Sequence, residues 1–124
     1  KWADALAAYK AAEGVTEADF KTLRLLHGAQ AAIQLEQWGD AQTMLNQAAA
    51  EAPESPYMAE INYERGWVWQ NLKDFEKAKQ LYEQVTEQTQ EVVAARARYM
   101  IGEIYFDQKN HTEAVRHFFK VAYG

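Results

Sequence analysis

The sequence predicts an all-α fold. Three observations carry that expectation. Alanine, the best helix former, fills 22 of the 124 positions. Glycine (6) and proline (2) are too scarce for a turn-rich all-β chain. Between the breakers, apolar residues recur three and four apart, which is the helical period, and no run alternates with period two for long. The length sets a ceiling of one ordinary domain. Hydrophobic residues at 48% and charged residues at 25% give the balance of a folded chain rather than a disordered one.

About seven helices follow, over 2–13, 17–36, 39–51, 56–72, 75–88, 90–108 and 112–122. The first is in helical pattern from Trp2-Ala3-Asp4-Ala5-Leu6 and stops at Glu13-Gly14-Val15. Thr16 with Asp19 resembles a capping box and starts the second. A weak break at Trp38-Gly39-Asp40 separates the second helix from the third. Ala52-Pro53-Glu54-Ser55-Pro56 is a stronger break; Ser55 is a good N-cap, and Pro56 suits the first position of the fourth helix. Weaker breaks at Lys73-Asp74, Gln88-Thr89 and Lys109-Asn110 delimit the last three.

Composition also narrows function. The absence of cysteine excludes a disulfide framework and any thiolate metal site. A formal charge of −5 disfavours sequence-independent binding to nucleic acid. No apolar run approaches the ~18 residues of a membrane span, so direct membrane insertion is not expected. The chain starts at Lys1 in mid-pattern and stops just after an amphipathic segment, so it reads as a piece of a longer protein.

The helices repeat. An aromatic residue, an alanine three further on and a large apolar residue four beyond that occur as Trp2/Ala5/Tyr9, Trp38/Ala41/Leu45 and Phe75/Ala78/Tyr82. A fourth copy, His111/Ala114/Phe118, has histidine in the aromatic place. The copies are 36, 37 and 36 residues apart. Three residues beyond the large apolar position come Ala12, Ala48, Val85 and Val121. Ahead of three copies, Ala29, Gly66 and Gly102 are small and are followed by Ala32, Trp69 and Tyr105. Joint recurrence at a nearly constant period is the mark of a helical repeat. Small residues in both helices of a pair allow close approach, and each pair leaves an apolar face for the next to cover, giving a quasi-one-dimensional stack.

At these residues the sequence resembles the tetratricopeptide repeat (TPR) family. Gly66-x-x-Trp69 followed by Phe75-x-x-Ala78-x-x-x-Tyr82 matches the family's order of small, aromatic, alanine and aromatic positions. Gly102-x-x-Tyr105 followed by Ala114-x-x-x-Phe118 does the same, and Pro53 falls where such repeats often end. The resemblance covers essentially the whole chain. It implies a single repeat domain over 1–124, built as a right-handed superhelix of antiparallel helix pairs. Residues 2–13 would be the second helix of a truncated repeat, and 17–51, 56–88 and 90–122 would be full pairs. The chain departs from the family in its longer period and in Glu36, Lys73 and Lys109, which stand where the family has a loop glycine. The stretch from Arg98 through Val121 resembles the TPR proteins of bacterial cell envelopes, planctomycete-type sequences among them. That likeness favours a periplasmic or envelope compartment over the cytoplasm.

No catalytic pattern stands out. Phosphate-binding glycine loops and the G-x-S-x-G elbow are absent. Glu113 and His117 lie four apart, but no other ligand is spaced to complete a metal site with them, so an exposed helical pair explains them. His111 stands in an aromatic column and should pack in its turn. Glu60, Glu64, Glu103 and Asp107 could form an acid–base set, but a solvated helix face accounts for them better. No enzyme activity and no cofactor are expected.

In TPR arrays the first helix of each pair lines the concave surface. The resemblance therefore points to Leu26, His27, Gln30 and Ile33 in the first full repeat. It points to Glu60, Tyr63, Glu64, Trp67 and Gln70 in the second, and to Arg96, Tyr99, Met100, Glu103 and Phe106 in the third. Aromatic, methionine and carboxylate side chains suit an extended or helical peptide with apolar anchors and some basic character. The carboxylate clamp that holds the C-terminal tails of heat-shock chaperones needs lysine, asparagine and arginine. The matching places here hold Leu26, Gln30, Glu64, Arg96 and Met100, of which only Arg96 fits. The expected function is a non-catalytic scaffold that binds a protein or peptide on the concave face. Two alternatives are a spacer or self-association segment of a longer array, using exposed terminal helices, and an auxiliary domain of a larger enzyme.

Overall fold

A computed structural model describes residues 17–123. They form six α-helices, and no strand occurs among the described residues. These are α1 (Glu17–Gln34), α2 (Trp38–Glu51), α3 (Met58–Asn71), α4 (Phe75–Gln88), α5 (Val92–Asp107) and α6 (His111–Tyr123). The expected helix over 2–13 and the Thr16 cap lie outside the described residues. The chain divides into two compact units, 1–58 and 59–124. α1 and α2 belong to the first; α3, from its second residue, and α4 to α6 belong to the second.

One three-residue turn joins the two helices of every pair. Glu36, Lys73 and Lys109 occupy its centre with φ of 57°, 70° and 64°, in the left-handed region. Their N–H groups donate to Ile33, Gln70 and Phe106 carbonyls at 2.9, 3.0 and 3.0 Å. The next residues, Gln37, Asp74 and Asn110, donate to Ala32, Trp69 and Tyr105 at 2.8, 3.0 and 2.8 Å. Both bonds of the Schellman motif are thus present three times, and the helix-end carbonyls are satisfied. The chain reverses without glycine at the position that most favours it. A left-handed conformation costs about 1–2 kcal/mol in an L-residue with a Cβ, and glycine returns part of that gain through unfolded-state entropy. Lys73→Gly and Lys109→Gly should each raise stability by about 0.5–1 kcal/mol, read as a shift in urea midpoint at constant slope.

Asp74 doubles as the N-cap of α4, its Oδ1 accepting from the Lys77 N–H at 3.3 Å. Asn110 plays the same part for α6, accepting from the Glu113 N–H at 3.4 Å. Two helices start later than expected. Ser55 Oγ accepts from the Tyr57 N–H at 3.0 Å, and the Ser55 carbonyl accepts from Met58 at 3.1 Å. A tight turn holding Pro56 therefore precedes α3, which begins at Met58 rather than residue 56. Thr89 is extended, its Oγ1 accepting from the Glu91 N–H at 3.1 Å, and α5 begins at Val92 rather than residue 90. Gly39 is not a break: it lies inside α2, and the chain turns at Glu36 instead.

In the first unit the small column is filled by Ala29, Ala41 and Ala48, fully buried with Leu45. Lys21 and Glu51 bridge α1 and α2 at 2.8 Å, and Gln47 adds a bond to Glu51 at 2.9 Å. Both partners of the ion pair are well exposed, so it contributes little. In the second unit Ala78, Tyr82 and Val85 of α4 pack with Ala97, Ile101 and Ile104 of α5. Gly66 and Gly102, the helical glycines of this unit, face rings. A Cβ on Gly66 would lie 2.7 Å from Tyr82 Cε1, and one on Gly102 would lie 2.6 Å from Phe118 Cε1. The close approach inside these pairs is thus ring on backbone.

Lys79 ties one repeat to the next. It is buried on α4, its Nζ 3.1 Å from the Glu76 carboxylate and donating to Gln108 Oε1 at 3.3 Å. The same ammonium sits 4.3 Å from the centroid of the Tyr105 ring, a cation–π contact strengthened by desolvation. Within one pair, buried Asn62 of α3 donates to Gln88 of α4 and accepts from Arg65 at 3.0 Å.

Candidate functional site

The sequence places fourteen candidate residues on the first helix of each pair, and the structure sorts them by burial. In the first unit, Leu26 and Ile33 are core residues. They are large, apolar and on the same face as Ala29, so packing claims them and they offer nothing to a partner. His27 is exposed and Gln30 half-buried.

In the second unit, α3 and α5 carry the remaining ten. Tyr63 and Tyr99 are equivalent positions with the same neighbour type. Tyr63 lies 5.6 Å from the Tyr82 ring and Tyr99 lies 5.4 Å from the Phe118 ring, both tilted. Each therefore stands on the large aromatic of its own pair. Tyr63 is half-buried, while Tyr99 is 47% exposed and Phe106 is 51% exposed. Gln70 is committed to the scaffold, its Oε1 accepting from the Tyr82 hydroxyl at 2.7 Å. Met100 packs on the same core as Tyr63. Trp67 is half-buried one helical turn beyond Tyr63, and Asn71 donates to its carbonyl at 2.8 Å.

Charge on this surface is mostly negative. Glu60, Glu64 and Glu103 are partly exposed, and Arg96 is exposed. Burial and then the Glu64 charge push the Tyr63 phenol up, while Arg96 pulls it down, which places these helices' charges within reach of one ring. Burial first, and the Glu91 charge second, raise the Glu60 carboxyl above the ordinary range, against its own backbone N–H.

The sign for Glu60 follows from linkage. A raised folded pKa means the native state holds the proton more tightly. Its stabilising contribution is complete below the unfolded pKa and is lost as pH rises through the folded one. Glu60→Gln should therefore be more stable than the parent at about pH 7, and that difference should shrink toward about pH 4. Thermal melts of the two proteins at both pH values check it.

A family model for the tetratricopeptide repeat matches residues 26–88 and again residues 63–124. The two matches start 37 residues apart, at 26 and 63, which is the period of the aromatic–alanine columns. The chain belongs to the tetratricopeptide repeat family. No curated protein and no solved structure matches it. TPR repeats are commonly protein-interaction scaffolds, and the family is typically non-enzymatic.

The remaining polar candidates of this TPR chain serve packing. His111 stands edge-on to Phe106 at 5.2 Å, inside its turn. His117 Nδ1 lies 2.9 Å from the Glu113 carbonyl, and its ring lies 5.4 Å from that of Tyr105. The Glu113 carboxylate goes to Arg116 at 3.2 Å instead of to the histidine. Among the described residues, no three His, Cys, Asp or Glu side chains gather to hold a metal ion, and no helix is long and apolar enough to cross a membrane. Lys79 is the residue that sequence reasoning passed over. The sequence shows only a lysine next to the Ala78 column, and its contacts with Tyr105 and Gln108 of α5 come from the structure.

Proposed function

We propose that this TPR chain is a non-catalytic scaffold that holds a peptide or protein partner on the surface formed by α3 and α5. The observation that carries the reading is the exposure of Tyr99 and Phe106 on α5, with Trp67 half-buried on α3 and Glu60, Glu64 and Glu103 partly exposed on the same two helices. Solvent-facing aromatic side chains are apolar anchors, and the carboxylates of the same helices select a partner with basic residues. The partner this surface fits is an extended or helical peptide with one or two large apolar residues flanked by lysine or arginine. The likeness of residues 98–121 to envelope TPR proteins directs the search for it to bacterial envelope proteins. Both Trp67 and Tyr99 are at the rim of the core rather than inside it, so their removal leaves the scaffold folded.

A peptide array probed with the parent, Trp67→Ala and Tyr99→Ala proteins tests the assignment. Peptides of the apolar-plus-basic class should be retained by the parent. Each variant should lose roughly tenfold or more in affinity, about 1.4 kcal/mol. Retention that both substitutions leave unchanged would remove the binding surface from α3 and α5.

A further inference from the structure

α6 differs from its counterparts along a side that the repeat itself uses at one column only. The repeat register aligns α2, α4 and α6 position by position. At three columns they carry Gln42, Lys79 and Val115; Asn46, Glu83 and Phe119; and Ala50, Glu87 and Tyr123. Only α6 makes all three large and apolar. Val115 is 65%, Phe119 63% and Tyr123 77% exposed, and the Phe119 and Tyr123 rings meet in a tilted pair at 4.6 Å. The residues stand four apart, so they form one stripe along the helix.

A following repeat would cover only Val115 of this stripe. α4 shows what such a neighbour buries. α5 packs on Ala78, Tyr82 and Val85 and reaches Lys79, whereas Glu83 and Glu87 stay exposed beside it. In the same register a next helix would take Ala114, Phe118, Val121 and Val115 and leave Phe119 and Tyr123 in water. The flank of the stripe changes as well. The columns Thr43, Gln80, Arg116 and Gln47, Gln84, Lys120 are neutral in the first two pairs and cationic in the third. Both cations are exposed; Lys120 has no ion pair among the described residues, and Arg116 has Glu113. This basic edge stands on a chain whose formal charge is −5.

We infer that the Val115–Phe119–Tyr123 stripe docks a partner's amphipathic helix carrying an apolar stripe with acidic residues along one edge. The apolar side chains supply the buried area, and Arg116 and Lys120 supply the charge match that selects the acidic edge. A second copy fits less well. Two α6 helices paired antiparallel about a two-fold axis bring the same flank of each together, which sets Arg116 and Lys120 against their own kind. This surface is separate from the α3–α5 face and selects the opposite charge.

The test uses the whole 124-residue chain and two fluorescent synthetic helical peptides. Both have leucines four apart; one carries glutamates along the edge and the other lysines. The parent should bind the glutamate peptide about tenfold more tightly than the lysine peptide. Arg116→Glu with Lys120→Glu should reverse the order. Phe119→Ser with Tyr123→Ser should abolish binding of both while leaving the thermal melt and the Trp67-dependent binding intact. Equal affinity for the two peptides, or binding that survives the serine substitutions, would overturn the proposal. Sedimentation that shows a dimer lost on Phe119→Ser would overturn it too, in favour of a second copy as the occupant.

Discussion

Replacing Gly66 with leucine is expected to destabilise the second unit by roughly 3 kcal/mol, at the upper end of overpacking. Two effects oppose each other. Removing glycine from a helix interior gains about 1 kcal/mol through propensity. Against that, even a Cβ would stand 2.7, 2.9 and 3.1 Å from Cε1, Cδ1 and Cζ of Tyr82. The ring cannot slide away. It is fully buried, it rests on Tyr63, and its hydroxyl is held by Gln70 at 2.7 Å. Steric cost therefore wins. Gly102 meets Phe118 at similar distances, but Phe118 is only half-buried and has no hydroxyl anchor. Gly102→Leu should cost less than Gly66→Leu. Urea unfolding of both variants checks the order as well as the sign.

Tyr82→Ala should cost about 3–5 kcal/mol, the range for deleting a buried aromatic. Tyr82 is the largest fully buried side chain among the described residues. Its loss removes the ring from Gly66, the tilted contact with Tyr63 and the bond to Gln70 together. Tyr82→Phe separates these contributions. It keeps the ring and leaves only the Gln70 oxygen without its donor, for an expected cost of about 1 kcal/mol. Similar costs for the two variants would mean that the hydroxyl, and not the ring, holds the pair together. Burial also drives the Tyr82 hydroxyl far above its ordinary pKa, with Tyr63 and Glu64 adding to it, so this donor stays protonated throughout any practical titration.

Much of this architecture is written in the column spacing. Ala41, Ala78 and Ala114 are buried, as a contact column requires, and Leu45 and Tyr82 fill the space beside them. Glu36, Lys73 and Lys109 were legible as loop positions because they stand in register, although only backbone geometry reveals that all three adopt the left-handed conformation without glycine. Helix starts were less legible. Proline at 56 and threonine at 89 each allow a turn or an extended residue before the helix, and local hydrogen bonds to Ser55 and Thr89 decide between them. The binding surface was legible only in part. A column assigns a direction, and side-chain size then determines the outcome. The same column is Leu26 in the core, Tyr63 at its rim and Tyr99 about half in solvent. Lys79 escaped notice because a lysine in a sequence reads as surface, whereas here Tyr105, Gln108 and Glu76 surround it.

The glycine-on-ring contact sets the register of α3 against α4, and with it the direction in which Trp67 and Tyr63 point. A double-mutant cycle on Gly66 and Tyr82 tests that claim most directly. In the parent, Gly66→Ala should destabilise by about 1–2 kcal/mol, because the ring opposes the new methyl group. In a Tyr82→Leu background the ring is gone, and the same substitution should stabilise by up to about 1 kcal/mol through helix propensity alone. A reversal of sign is the predicted result. An effect of Gly66→Ala that is the same in both backgrounds would contradict the register and the placement of the binding surface that depends on it.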